Sequence, residues 1–328
     1  MHSSAGKNIL FITTKTVDYL RNTQEIELLE QRCDKLEIIS SKSKSYPVRI
    51  LAVYFSLLFK NIKAFDTIFI GFSPQLILPF WSWKFKKQNI IIDFFISSYD
   101  TFVFDRKKFT QNSLCGRMLK ALDCKTIQKA DMVIADTKSH GQYFIKEFGL
   151  SEDKLKILYL KADMDIYYPR EQKKPQRMAG KYVVLYFGSA LPLQGIPIIL
   201  AAVDLLKQNK ELYFIIVGPI NNKYEKPLGE NIEYHKWLSQ EKLADYISYS
   251  DLCLAGHFNA QINKAKRTIP GKAYIYRAME KPIILGDNVA NKELYHEEDA
   301  GVYYVEMGNP KALADKIVEI KESTWQIK

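Results

Sequence analysis

The sequence predicts an α/β protein built as two doubly wound parallel-sheet domains facing a cleft. Three observations predict it. Short, unbroken apolar runs alternate with helical segments along the 328 residues. A polar, proline-bearing stretch interrupts that rhythm near the middle. In the second half, "YFGSALPLQGIPIIL" (Tyr186–Leu200) runs from a strand through a small-residue loop into an apolar helix. Strands covered on both faces read as continuous Ile, Val, Leu and Phe, and helical crossovers join them into parallel sheets.

The first-half strands are expected at Lys7–Thr13, Lys35–Ser40, Asp66–Phe72, Asn89–Phe95 and Asp131–Asp136. Between them, Tyr46–Lys63 reads as a crossover helix that buries an apolar face on the sheet and leaves its lysines in water. "PFWSWKFKKQ" (Pro79–Gln88) is different, with two Trp, two Phe and three Lys in ten residues. Trp81 and Trp83 at headgroup level, with Lys84, Lys86 and Lys87 beside anionic lipid, would make an interfacial helix; the alternative is a second crossover helix with its lysines in water. "YYPREQKKPQRMAGK" (Tyr167–Lys181) is the linker candidate, giving domains at residues 1–170 and 171–328. "VVLYFG", "LYFIIVG", "DLCLAG" and "PIILGD" are the second-half strands, and Asn309–Pro310 starts the final helix.

No apolar run approaches the roughly 20 residues of a spanning helix. The opening residues lack the apolar centre of a secretory signal. Cys33, Cys115, Cys124 and Cys253 have no metal or redox spacing, so reduced thiols in a cytosolic chain are expected. The net charge is +10, and residues 1–170 hold 26 Lys and Arg against 18 Asp and Glu. A basic first half suggests one face that meets something anionic. A nucleic-acid partner would rest on that charge alone.

Dinucleotide, P-loop, serine-hydrolase and zinc-protease fingerprints are all absent. What remains is the loop at Gly188–Gly195. A helix beginning there leaves backbone N–H groups without partners and carries partial positive charge, a setting suited to phosphate. Gly188 and Gly195 would let backbone approach a ligand closely. Ser189 and Gln194 add neutral hydrogen bonds. The plain alternative is a tight turn shaped by glycine.

"YFGSALPLQGI" resembles the Gly-x-x-x-Pro-Leu-His-Gly segment of retaining glycosyltransferases of the GT-B fold, the glycogen-synthase-like group (family four). "WLSQEKLADYISYSDLCLAG" resembles their helix–strand unit after the nucleobase loop. "TIPGKAYIYRAMEKPIILGD" resembles their Ile-Pro-Asn-Lys block, and the first half is similar to acceptor domains of bacterial surface-polysaccharide members. The resemblance implies an N-terminal acceptor domain and a C-terminal donor domain. The Gly195 helix would then face the donor diphosphate, with Lys272 at the family's own lysine position. Trp237 and Leu238 fall where the nucleobase would rest, or in the core.

The pattern also breaks. Its two glutamates align with Arg267 and Ile275, its lysine before the loop glycine is Gln194, and its arginine after Gly188 is Ser189. Glu280 stands where the family has glycine. Nearby cations in "NKAKRTIPGK", Lys272 first, could supply charge, while Lys264 and Lys266 read rather as a solvated basic loop before a helix. Asp100, in the loop after Asn89–Phe95, is the carboxylate nominated to orient or deprotonate an acceptor hydroxyl, with Asp93 and Asp105 as rivals. Capping a turn is its structural alternative. His257, beyond the "DLCLAG" strand, is nominated over the donor sugar.

The resemblance therefore implies a glycosyltransferase that moves a sugar from a nucleotide donor, first among them a UDP-sugar, to a lipid-linked or oligosaccharide acceptor in capsule-type polysaccharide biosynthesis. It implies no metal and no separate cofactor. The setting expected is cytoplasmic, peripheral to the inner face of the cell membrane, with no nucleic acid. The alternative is a catalytically silent homologue that binds another glycosyltransferase.

Overall fold

The computed structural model describes residues 8–189 and 191–325, so the expected strand residue Lys7 and the loop residue Ala190 lie outside them. The chain divides after Leu160 into two units. Among the described residues, each holds one six-stranded sheet in which every pairing is parallel.

The first sheet comprises β1 (Asn8–Ile12), β2 (Lys35–Ile39), β3 (Thr67–Ile70), β4 (Asn89–Asp93), β5 (Met132–Ala135) and β6 (Leu155–Ile157), in the order β2-β1-β3-β4-β5-β6. Helices α1 (Leu20–Glu30), α2 (Tyr46–Phe59), the short α3 (Leu78–Trp81), α4 (Leu114–Gln128) and α5 (Lys138–Phe148) connect them. Leu10, Ile12, Ile68, Ile70, Ile92 and Val133 are fully buried, as strands covered on both faces require. Ser113 and Thr137 cap α4 and α5, accepting from Gly116 N at 3.1 Å and His140 N at 3.0 Å.

The second sheet comprises β7 (Tyr182–Phe187), β8 (Leu212–Val217), β9 (Ile232–His235), β10 (Leu252–Gly256), β11 (Ile283–Gly286) and β12 (Val302–Val305), ordered β12-β11-β10-β7-β8-β9. Its helices are α6 (Ile196–Leu206), α7 (Gln240–Tyr249), α8 (Gly271–Ala278) and α9 (Pro310–Trp325). The chain runs outward from β7 through β8 to β9, then returns to the other side of β7 with β10. That reversal makes the carboxyl ends of β7 and β10 the topological switch point, where open sheets of this kind bind ligands.

Every strand expected from the sequence is present, and three more appear. All three, β6, β9 and β12, are edge strands; β6 and β9 are only partly covered and mix polar with apolar residues, whereas β12 buries Val302 and Val305.

Three expectations need correction. The stretch Tyr167–Lys181 is not a free linker. Tyr167 is buried, Gln172 donates to Asp245 at 2.8 Å, Lys174 pairs with Asp251, and Arg177 pairs with Glu233 at 3.0 Å. These bonds fasten it to the second unit and move the boundary ten residues before the expected one.

Pro79–Gln88 is not an interfacial helix. Helix ends at Trp81 and turns follow. Trp81 and Phe85 are core residues, and Lys84 donates to the carbonyls of Leu57 and Leu58 at the end of α2. Of the five residues nominated for lipid, Trp83, Lys86 and Lys87 are exposed.

The third correction concerns α2. It buries Val53 and Leu57, as expected, but its outward face is apolar rather than lysine-bearing.

Candidate functional site

In the second unit, β7 delivers its last residues to the switch point. Tyr186, Phe187 and Gly188 lead through Ser189 to a single 3-10 turn, Pro192–Gln194, and then to α6. Gly195 begins that helix with φ of 75°, a left-handed conformation that glycine adopts without a Cβ penalty. The clearance at Gly195 is taken by the chain itself: a Cβ there would lie 2.8 Å from the Phe258 carbonyl carbon and 2.9 Å from Asn259 N. At Gly188 the same space holds the Tyr186 hydroxyl at 2.8 Å and Lys272 Cε at 3.2 Å. Both glycines therefore serve close packing of protein against protein, which corrects the expectation of clearance for a ligand.

The helix start is also poorer in donors than the sequence suggests. Pro197 has no N–H, while Ile198 and Ile199 both donate to Gly195 O, at 2.9 and 3.2 Å. Side chains must carry more of any anion site here.

Lys272 supplies the charge. It is the second residue of α8, it is buried, and its ammonium donates to Gln194 Oε1. The same ammonium sits 5.1 Å from the ring centre of Tyr186. Burial pushes its pKa down to about 7. Gln194 thus replaces an expected lysine with a neutral acceptor that holds a different lysine in place. Tyr186, which sequence reading passed over inside an apolar strand, has a buried hydroxyl with no hydrogen-bond partner among the described residues.

His257 follows β10 and is buried. Burial, and then the Lys272 charge, hold its imidazole neutral down to about pH 3. A proton donor is the wrong role for it. Its Nδ1 has no partner among the described residues and is suited to a neutral hydrogen bond.

The remaining nominees scatter. Ser189 is exposed. Arg267 is half-buried in the loop before α8, and Ile275 lies half-buried on α8 itself. Trp237 is 77% exposed, so it is not a core residue, and Leu238 is half-buried. Carboxylates that follow β11 and β12 are engaged: Asp287 pairs with Lys292 at 2.6 Å and Glu306 accepts from Asn309 at 2.8 Å.

In the first unit, the loop after β4 leads into a π-helical turn, Asp100–Asp105, whose first residue Asp100 is buried, with its N–H donating to Ser97 Oγ at 2.9 Å. That loop is held by Asp123 of α4, a residue the sequence reading missed. Its carboxylate accepts from Ser97 Oγ at 2.6 Å, Tyr99 N at 2.8 Å and Ser98 N at 3.2 Å. Burial nevertheless raises its pKa to about 6. The rival Asp93 is fully committed to Arg21, at 2.8 and 3.0 Å. Asp105 is also buried. An Asp-x-Asp triplet at Asp163–Asp165 forms a local turn, with Asp165 N donating to Asp163 Oδ1 at 3.0 Å.

At the switch point of the first sheet lies an aromatic cluster. Phe72 meets Tyr19, Phe95 and Tyr46 with ring centres 5.5, 5.9 and 6.5 Å apart. The Lys15 ammonium lies 5.5 Å from the rings of both Tyr19 and Phe72.

Two parallel-sheet units of this topology have the GT-B fold. Residues 181–323, within the second unit, match the family described as "Glycosyl transferases group 1". A Klebsiella pneumoniae relative, "Uncharacterized 41.2 kDa protein in cps region", is 22% identical over 215 residues, covering 62% of this chain and 58% of that protein. The match thus spans less than two thirds of the relative's length. Sucrose-phosphate synthase of Thermosynechococcus elongatus superposes with a TM-score of 0.67 at 12% identity, over 96% of this chain and 89% of that one. Anabaena Alr3699/HepE, in complex with UDP and glucose, gives 0.62 at 14% identity, over 98% and 91%. These two likenesses establish the fold.

Proposed function

We propose that the chain is a retaining glycosyltransferase that moves a sugar from a UDP-sugar to a lipid-linked glycan, in polysaccharide assembly on the cytoplasmic face of the cell membrane. The observation that carries the donor half is the buried Lys272 ammonium, bonded to Gln194 at the start of α6. A group 1 glycosyltransferase domain around it, and a neighbour of the same fold complexed with UDP and glucose, support a nucleotide sugar. The cps-region relative supports the polysaccharide role.

Transfer from such a donor asks the protein to stabilise a leaving diphosphate, to position the acceptor hydroxyl and to keep water out. Lys272 would neutralise the diphosphate, and a desolvated ammonium does this more strongly than one in water. Gln194 would orient it. His257, neutral, would accept from a sugar hydroxyl, and the Tyr186 hydroxyl is a further donor. Asp100, in the first unit, would hold the acceptor hydroxyl.

A specific observation favours the silent-homologue reading: Arg267 and Ile275 occupy the places of two expected carboxylates. Isoleucine accepts no hydrogen bond, so a ribose or sugar hydroxyl is left unpaired there, typically at a cost of about 1–3 kcal/mol. Incubating the full chain with radiolabelled UDP-glucose, UDP-galactose and UDP-N-acetylglucosamine, with bacterial lipid extract as acceptor, tests the proposal. Label entering the organic phase is expected with one donor. No transfer, together with no calorimetric heat from any of these donors or from nucleoside diphosphates, would leave the partner-binding reading.

A further inference from the structure

Helix α2 presents an apolar stripe to solvent. Val48, Leu51, Phe55, Leu58 and Phe59 recur at intervals of three and four residues, so they share one side of the helix. They are 49, 68, 68, 56 and 72% exposed. Roughly opposite them, Arg49, Val53 and Leu57 are buried. Isolated exposed leucines are ordinary, but a continuous stripe of this kind marks an interaction surface.

Helix α3 and the turn after it extend the stripe. Phe80 is 56% and Trp83 62% exposed. Trp83 stacks on Trp81 at 6.2 Å, and Trp81 meets Tyr54 of α2 edge-on at 5.5 Å. Lys84 closes the junction by donating to the final carbonyls of α2. The two segments therefore form one rigid surface, in which Trp81 is the anchor and Trp83 the contact.

Charge identifies the occupant. Between Ser40 and Ile92 stand eight Lys and Arg and one acidic residue, Asp66. Lys42 and Lys44 precede the stripe, Lys63 follows it, and Lys86 and Lys87 flank Trp83; all five are exposed. An apolar strip with an interfacial tryptophan and a lysine border is complementary to an anionic bilayer. Two copies of so basic a surface would repel each other. The stripe also begins beside the acceptor-side cluster: Tyr46, at the start of α2, bonds the Thr14 hydroxyl at 3.1 Å and meets Phe72.

We propose that the outward face of α2, with Phe80 and Trp83, docks on an anionic lipid bilayer and lies in its interface. No helix among the described residues is long and apolar enough to cross a membrane, so the contact is peripheral. Docking here would set the carboxyl edge of the first sheet at the lipid surface. The inference deepens the lipid-linked acceptor of the proposed function. Its test needs no sugar donor, so failure of donor recognition and failure of docking are read separately.

The test is co-sedimentation of the full chain with vesicles of phosphatidylcholine containing 30% phosphatidylglycerol by design, a composition on the order used to mimic an anionic surface. Wild type is expected in the pellet, less so at high salt or with neutral vesicles. The Leu51→Ser, Phe55→Ser, Phe59→Ser triple variant should partition at least about a hundredfold more weakly, since three large apolar side chains would no longer be buried in lipid. These side chains are exposed, so its thermal melt should match wild type. As a second reading, quenching of tryptophan emission by brominated lipid should be lost in Trp83→Phe. Wild type remaining in the supernatant, or a triple variant that pellets as wild type does, would overturn docking. So would a wild-type dimer that the triple substitution dissolves, since the stripe would then be a self-interface.

Discussion

The Lys272 ammonium donates to the Gln194 side-chain carbonyl, joining the start of α8 to the turn before α6. Neither residue holds an anion well alone. Gln194 is uncharged, and Lys272 is buried and easily neutralised. Together they form a positioned, partly desolvated cation at the carboxyl ends of β7 and β10.

Replacing that cation should be felt in binding. Hydrogen bonds to charged groups contribute about 1.5–3 kcal/mol, so Lys272→Met is expected to weaken UDP-glucose binding by roughly tenfold to a hundredfold. Calorimetry on both proteins measures it. Unchanged affinity would remove Lys272 from the site.

The low pKa of Lys272 is expected to make donor binding dependent on pH. A bound diphosphate favours the ammonium, so binding above about pH 7 takes up a proton. Affinity for UDP-glucose should be flat below about pH 6 and fall about tenfold between pH 6 and pH 8, given a pKa that rises well above 8 in the complex. Lys272→Met should lose that dependence. A wild-type profile flat from pH 6 to 9 would mean that no anion approaches the amine.

Much of this was legible in the sequence. Central strands are unbroken apolar runs because helices cover both faces. Leu155–Ile157 and Ile232–His235 were not legible, because edge positions tolerate Lys156, Glu233 and His235. Gln194, Gly195 and Lys272 were found by spacing within the family pattern. Tyr186 was hidden because a polar tip inside "VVLYFG" looks like core. Asp123 was hidden because a carboxylate in mid-helix normally faces water. Trp81 and Trp83 read alike, and only the turn that separates them sends one inward and one outward. Arg170 to Arg177 read as a solvated linker because their partners, such as Asp245 and Glu233, lie 56 or more residues away.

Glu280 offers a test of stability. It follows α8 at φ of 55°, with its N–H donating to Arg277 O and the next N–H, of Lys281, to Tyr276 O, at 3.0 and 2.9 Å. This is a Schellman ending with glutamate at the left-handed position that favours glycine. Glu280→Gly should stabilise the protein by about 1 kcal/mol, read as a higher urea midpoint. A lower midpoint would show that the Glu280 side chain contributes more than its backbone strain costs.

In the first unit, Asp123 holds the Ser97–Tyr99 segment that leads into Asp100. Its pKa is raised by burial to about 6, so its contribution to stability is full below the unfolded value near 4 and is lost as pH rises through 6. Relative to Asp123→Asn, wild type should lose on the order of 2 kcal/mol between pH 4 and pH 7. Parallel pH profiles for the two proteins would contradict a buried, strained carboxylate.

Asp100→Asn is expected to lower sugar transfer at least about a hundredfold, the low end of what a positioned general base contributes, while leaving UDP-glucose affinity unchanged. Transfer rate against acceptor concentration, with donor calorimetry alongside, checks it. Full activity would return Asp100 to a purely structural role.

A crystal of the full chain soaked in UDP-glucose tests the donor site most directly. The result predicted is diphosphate density within hydrogen-bond distance of Lys272 Nζ, with Gln194 turned to share it. Diphosphate seated elsewhere, with the Lys272–Gln194 bond intact, would contradict it.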